Sequence, residues 1–395
     1  MAQEPPGRAR AGRSGCVPVS VEPPSDPVRR LRDVDHALVA RWRLANQLVA
    51  PPTAGGAAGV VSRLAAVQAQ DLLPSAWSLA QRAGGLAHAD VSAELDAGAV
   101  LRTHVLRPTW HAVAPADVRW LLRATAPRVQ RANQALYRQR GLDDDARAGT
   151  RRAVAAALAD GRHRTRTELS DVLSRAGYVL DGLGLGLAIM DAELEGVLVS
   201  GVAEGRQQTY ALLDQRSPGA DGRTREEALA ELARRYVATR GPTTVDDLAA
   251  WASLTLTEAR AAVGAVAGDL LRVEDDGVTW WHGPGEPPAA GDGPRADLVQ
   301  AYDELVMSYL RTRSAITGDA ALLTRGGGAP MHWLLVDGRA AGRWAYRRDA
   351  RGRPTRLVLR PLRAWTVAER AAIDDAVAAF GRFAGVDLAW TEVPG

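Results

Sequence analysis

The residues whose types and spacing could do chemistry together are Gln68 and Gln70, which flank Ala69 in the stretch RLAAVQAQDLLPSAWSLAQR, residues 63–82. An amphipathic helix leads into this stretch, and Pro74 marks a break in it. On a helix, side chains two apart point about 200° away from each other, and two amides there have no common target. In an extended segment the same two positions share a face and converge on one site. The pair is therefore useful only if the chain is strand-like at 68–70. Spacing by itself also fits two solvated polar side chains.

Other chemistries find less support. Gly182, Gly184 and Gly186 in DGLGLGLAIM brush against a dinucleotide fingerprint, but the spacing is wrong and no βαβ unit surrounds them. They read as a flexible turn ahead of a helix. The seven histidines (36, 88, 104, 111, 163, 282 and 332) show no H-x-H and no H-E-x-x-H spacing, so no metal site is expected. Neither G-x-x-x-x-G-K nor G-x-S-x-G occurs. The single cysteine, Cys16, rules out a disulfide framework and a Cys-based zinc site, and it points to a reducing, cytoplasmic setting. No apolar run approaches the roughly 18 residues of a membrane span. The segment from Met1 to Pro27 lacks the apolar core of a secretory signal, and residues 1–30 read as a disordered tail.

The elements that must position the glutamines follow from pattern. With 395 residues, 46% of them hydrophobic, the chain is long enough for several cores. Three segments read as one kind of unit: helix, short helix, second helix, then two strands. The clearest lies within 220–290. TREEALAELARRYVATRG gives a helix with a Thr224/Glu227 capping box, ended by Gly241. TTVDDLAAWAS and TLTEARAAVGAVAGD follow as helices, and LLRVEDDGVTWWHG reads as a hairpin turning at Asp276-Gly277. A second unit spans 150–219. The first, at 31–149, carries the glutamines and strand-like LRTHVLRPTWHAV at 101–113. Residues 295–395 change character: strands turn at Asp337-Gly338, and a terminal helix VAERAAIDDAVAAFGRFAG follows. The predicted fold is α+β and mostly helical, with tandem winged-helix motifs followed by a small antiparallel β-barrel or curled sheet.

Charge is uneven along this framework. The formal net charge is +3, and every basic side chain other than histidine is an arginine, which binds phosphate bidentately as lysine cannot. Residues 305–365 hold twelve arginines against Asp319, Asp337 and Asp349, and 107–140 hold seven against Asp117. Residues 220–300 hold eight arginines against fourteen acids. A polyanion would meet the two basic stretches and be repelled by the acidic one.

Taken in order, the helix, LAAVQAQD, LRTHVLRPTWHAVAPADVRWLL (101–122), LVQAYDELVMSYLRTRS (298–314) and WLLVDGR (333–339) resemble the AlkZ/YcaQ-like winged-helix DNA glycosylases. The resemblance covers nearly all of 33–365. Gln68-Ala69-Gln70 matches the family's Gln, apolar, Gln-or-Asp signature. Arg107-Pro108-Thr109-Trp110-His111 matches its R-x-T-x-H strand, with Pro108 and Trp110 replacing smaller or aliphatic residues. Tyr302, Asp303 and Leu305 match a third segment, in which Arg311 stands where an acid is often found.

The resemblance implies a monofunctional DNA N-glycosylase acting on cationic N7- or N3-alkylated purines, including bulky natural-product adducts and interstrand crosslinks, for bacterial self-resistance. Gln68 and Gln70 are its expected catalytic residues, with Gln70 positioning the water. A purine already carrying positive charge departs readily, so placing water near C1′ and holding an oxocarbenium-like state is the main task, and neutral amides suit it. Double-stranded DNA is the expected partner of a monomeric, nucleoid-associated enzyme. No cofactor is implied, and a lyase would need an amine nucleophile in a chain without lysine. Expected DNA contacts are Arg107, His111, Arg311, Arg313, Arg325, Arg347, Arg348, Arg351 and Arg353, with the glycine run 326–328 letting backbone approach the duplex. Without the resemblance, a non-enzymatic tandem winged-helix DNA-binding regulator fits the same charge pattern.

Overall fold

The computed structural model describes Met1 and residues 35–53, 55–286, 288–318 and 332–393. All but the first residue of the expected tail, and Arg325 with the 326–328 glycine run, lie outside the described residues. Helices, a short extended step and an antiparallel hairpin then recur three times along the chain.

The first set comprises α1 (His36–Asn46), α2 (Gly56–Leu64), β1 (Val67–Gln68), α3 (Leu72–Arg82), α4 (His88–Ala97), β2 (Leu101–His104) and β3 (Trp110–Val113). The second comprises α5 (Val118–Gln139), α6 (Asp144–Leu158), β4 (Arg164–Thr165), α7 (Arg166–Arg175), α8 (Gly182–Leu194), β5 (Leu198–Ser200), β6 (Thr209–Leu212) and α9 (Leu213–Arg216). Their strands line up in matching orders, β1-β3-β2 and β4-β6-β5. The third has α10 (Arg225–Arg240), α11 (Val245–Trp251), α12 (Leu256–Ala265) and the hairpin β7 (Leu271–Asp275) with β8 (Val278–His282). A single bridge from Thr243 to Trp281 takes the place of its leading strand.

Local chemistry explains most of these boundaries. Thr224, Thr244 and Thr255 each cap a helix, and each donates its own N–H to the carboxylate at the third helical position. Asp276 and Gly277 both take positive φ, as a two-residue hairpin turn demands. Three readings are corrected. Gly182, Gly184 and Gly186 are not a turn: they open α8, because the Asp181 carboxylate accepts the Gly184 N–H and starts the helix there. Pro74 does not break the chain but sits in the first turn of α3, where backbone N–H groups lack intrahelical partners anyway. The stretch 101–113 is two strands, folded back where Leu106 adopts φ 62°.

The C-terminal part holds β9 (Ala296–Val299), α13 (Glu304–Met307), α14 (Ser314–Thr317), β10 (His332–Val336), β11 (Arg339–Arg348), β12 (Pro354–Pro361), α15 (Val367–Ala384) and β13 (Trp390–Glu392). The sheet order is β13-β12-β11-β10-β9, an open sheet rather than a closed barrel, because its edges β9 and β13 do not pair. It is not wholly antiparallel either. β13 runs parallel to β12, and α15 is the crossover that a parallel neighbour requires.

The only phenylalanines, Phe380 and Phe383, lie buried on α15, each with its ring centroid 5.3 Å from that of Trp77 on α3. Phe380 also meets Trp344 of β11. This apolar contact fixes the first set of helices against the C-terminal sheet. No described helix is long and apolar enough to cross a membrane.

Candidate active site

The extended step at 67–70 is built from outside. Helix α2 stops at Leu64 as Ala65 takes φ 65°. The buried Arg240 guanidinium, at the end of α10, donates to the carbonyls of Leu64 and Ala66, both at 2.9 Å. β3 pairs Gln68 with His111, and the Ala69 N–H donates to the Trp110 carbonyl. The Gln68 N–H donates to Glu304 Oε1 at 3.0 Å, and its carbonyl accepts from Gln300 Nε2 at 3.1 Å. The side of this two-residue strand away from β3 thus has the Gln68 N–H and carbonyl satisfied by residues more than 230 positions away in sequence.

Glu304 anchors this arrangement. Its carboxylate also accepts from Arg240, the Trp251 indole and the Ser308 hydroxyl. Burial alone would push its carboxyl up, but the Arg240 and Arg107 guanidiniums beside it hold it down at about 2. It is a permanent anion under the first glutamine.

The strand geometry brings both glutamine side chains to one hairpin turn. Gln68 Oε1 accepts from Arg107 Nη2 at 2.7 Å, and Gln70 Oε1 accepts from the Trp110 N–H at 3.3 Å. Arg107 is held in turn. Its Nη1 donates to the Trp251 carbonyl and its Nη2 also reaches His111 Nε2 at 3.2 Å. His111 Nδ1 lies 2.9 Å from the Thr109 carbonyl, which fixes the tautomer with the proton on Nδ1. Burial, together with the Arg107 charge, pushes the His111 imidazole down to about 3, so it is neutral and accepts from Arg107. The turn itself is tight: Arg107 N–H bonds the Val105 carbonyl and Thr109 N–H bonds the Arg107 carbonyl.

The two glutamines differ in exposure. Gln68 is only 2% exposed, whereas Gln70 is open and lines a cleft of about 680 Å³. One side of the cleft is the start of α3. The loop between β5 and β6, with Arg206, and the β11–β12 turn, with Arg348, Arg351 and Arg353, also line it. Arg206 Nη1 donates to the Arg351 carbonyl at 3.0 Å and joins these two loops. Arg102 lines the floor, its Nε donating to the Ala69 carbonyl.

The expected DNA contacts separate accordingly. Arg348, Arg351 and Arg353 share the cleft with Gln70; Arg347 is exposed on the same strand but does not line it. Arg107 and His111 face inward, as described. Arg313 donates to the carbonyls of Val306 and Tyr309, bracing its own turn. Arg311 is exposed beside Asp246, away from the cleft. No arginine of the basic stretch 107–140 lines the cleft. Its Arg119, Arg123 and Arg128 instead reach Asp214, the Asp221 carbonyl and the Ser253 carbonyl, tying α5 to the segments that follow. Glu304, Arg240, Arg102 and Arg206 were not anticipated. Only Glu304 had a signal, its place beside Asp303 in the Tyr302-Asp303 segment.

Residues 61–383 match the family described as DNA glycosylase AlkZ-like. A protein of Streptomyces sahachiroi named interstrand DNA cross-link repair glycosylase is 28% identical over 250 residues, covering 60% of this chain and 67% of that protein. The solved structure of the Streptomyces sahachiroi DNA glycosylase AlkZ shares the fold, with a TM-score of 0.72 at 23% identity over 90% of this chain and 99% of that one.

Proposed function

The chain belongs to the AlkZ-like DNA glycosylase family, and on that premise we propose that it is a monofunctional N-glycosylase for cationic N7- or N3-alkylated purines in duplex DNA. Bulky natural-product adducts and interstrand crosslinks are within its range, and its biological setting is self-resistance to a genotoxin in the bacterial cytoplasm. The observation that carries this reading is Gln70 standing in an arginine-lined cleft, with Gln68 braced beneath it. Open clefts suit bulky or crosslinked bases, which a closed flipping pocket would reject.

In this reading the purine leaves because alkylation has already made it cationic. Gln70 places the water, Gln68 supports the sugar, and Arg348, Arg351 and Arg353 hold phosphates. The assignment of three winged-helix units at 31–149, 150–219 and 220–290, followed by a basic β domain at 295–395, is supported by the recurring helix order and the matching β1-β3-β2 and β4-β6-β5 sheets. The enzyme acts as a monomer.

The test is incubation with duplex DNA carrying N7-alkylguanine, as a simple adduct and as a crosslink. Free alkylated base and an alkali-labile abasic site are expected, without strand scission in the absence of alkali. A protein that retards the DNA and releases no base is the non-enzymatic regulator instead.

A further inference from the structure

Hydrolysis of a glycosidic bond needs a group that takes up a proton from the attacking water. The glutamine pair does not offer one. A carboxamide has one acceptor oxygen, and its NH2 only donates. The Gln68 oxygen already accepts from the Arg107 guanidinium and the Gln70 oxygen from the Trp110 N–H, and the second lone pair of an amide oxygen is too weakly basic to hold a proton. Guanidinium and backbone N–H groups never accept, so turning either amide over would set donor against donor. Of the two amides, Gln70 lines the cleft, and its NH2 is the donor available to a water there.

Among the residues lining the cleft there is one carboxylate, Asp71, directly after Gln70. Asp71 stands at the N-cap of α3 with extended backbone, yet its side chain takes no hydrogen bond from the helix. Part of the reason is local: Pro74 fills the third helical position and has no N–H to give a cap. The ion-pair partner of Asp71, Arg348 Nη2, is 4.0 Å away, too far for a hydrogen bond, and half of the Asp71 side chain is exposed. An acid released from capping and loosely paired thus sits in an otherwise basic cleft beside the water-placing amide.

Building on the glycosylase reading, we propose that Asp71 is a third catalytic residue, the acceptor for the water that Gln70 places. The Gln70 NH2 donates to one lone pair of the water, Asp71 accepts one of its hydrogens, and the remaining lone pair attacks C1′. As the C1′–O bond forms, the C1′–N bond breaks and its electron pair returns to the cationic purine ring, which departs neutral. The proton passes to Asp71 and then to solvent. Before that transfer, the carboxylate also opposes the positive charge growing on the deoxyribose.

The experiment measures single-turnover release of N7-methylguanine from duplex DNA across pH, for the full chain and for Asp71→Asn and Arg348→Gln. Asn is as good an N-cap as Asp, so the thermal midpoint of Asp71→Asn should match the parent. Its rate should fall about 100-fold or more, in the range general-base catalysis supplies. The parent is expected to lose rate toward acid pH and Asp71→Asn to lack that loss, while affinity for undamaged duplex stays equal or rises. Arg348→Gln should weaken DNA binding and keep the acid limb. An Asp71→Asn protein with the parent's rate and pH profile overturns the proposal, and so does a loss of rate that tracks a lowered midpoint or is copied by Arg348→Gln. If the parent itself releases no base, the glycosylase reading falls and this proposal with it. An active parent beside an equally active Asp71→Asn sinks Asp71 alone.

Discussion

Arg107 and His111 act on Gln68 as one unit, and their charge states make that unit sensitive to acid. His111 is neutral in the folded chain, lowered to about 3, and Glu304 is ionised, lowered to about 2. Both values lie below the ordinary ones of 6.5 and 4.5, so the unfolded chain binds more protons over those intervals. Their contribution to stability is complete above the ordinary values. It is lost progressively as pH falls, first through His111 below about 6.5 and then through Glu304 below about 4.5. His111→Gln should therefore show a shallower fall of thermal midpoint between pH 6.5 and pH 4 than the parent. An unchanged slope in that window would contradict the neutral, buried imidazole. The glutamine pair was legible because a spacing of two has meaning only in an extended chain. The bracing of Gln68 was not, because Arg107 and Glu304 lie 39 and 236 residues away and no local pattern links them.

At the scale of elements, capping boxes and Asp-Gly turns act over three or four residues, which is why α10, α11, α12 and the β7–β8 turn could be read directly. The parallel β12–β13 pair could not. It depends on α15 carrying the chain across the sheet, and the barrel expectation failed there. Helix α4 also went unread, since one buried residue, Val91, leaves almost no apolar stripe. One apolar contact between parts is α15 on α3 through Phe380, Phe383 and Trp77. Phe380→Ala should cost about 3–5 kcal/mol of unfolding free energy in denaturant titration, as for other buried aromatic truncations. It should do so without altering single-turnover excision in the molecules that remain folded. A cost under about 1 kcal/mol would mean that α15 contributes little to holding the sheet on the first set of helices.

Across the whole molecule, the surface proposed to bind DNA is assembled from the second and fourth parts of the chain, Arg206 and the β11–β12 turn, around a glutamine from the first. Charge counting picked out the 305–365 stretch to which the cleft residues Arg348, Arg351 and Arg353 belong. It did not foresee that Arg107, Arg119, Arg123 and Arg128 of 107–140 make internal contacts with residues 214–253. Arg351→Gln and Arg353→Gln should each weaken DNA binding irrespective of base sequence and reduce the slope of log affinity against log salt by about 1. Arg119→Gln should leave that slope unaltered, and a salt slope indifferent to residues 351 and 353 would place the duplex elsewhere. The most direct measurement is single-turnover excision of an N7-alkylated guanine by Gln70→Ala beside the parent enzyme at equal DNA occupancy. Loss of excision with binding retained is the expected result. Release of the base at the parent rate would contradict the role given to the cleft and to the glutamine that opens into it.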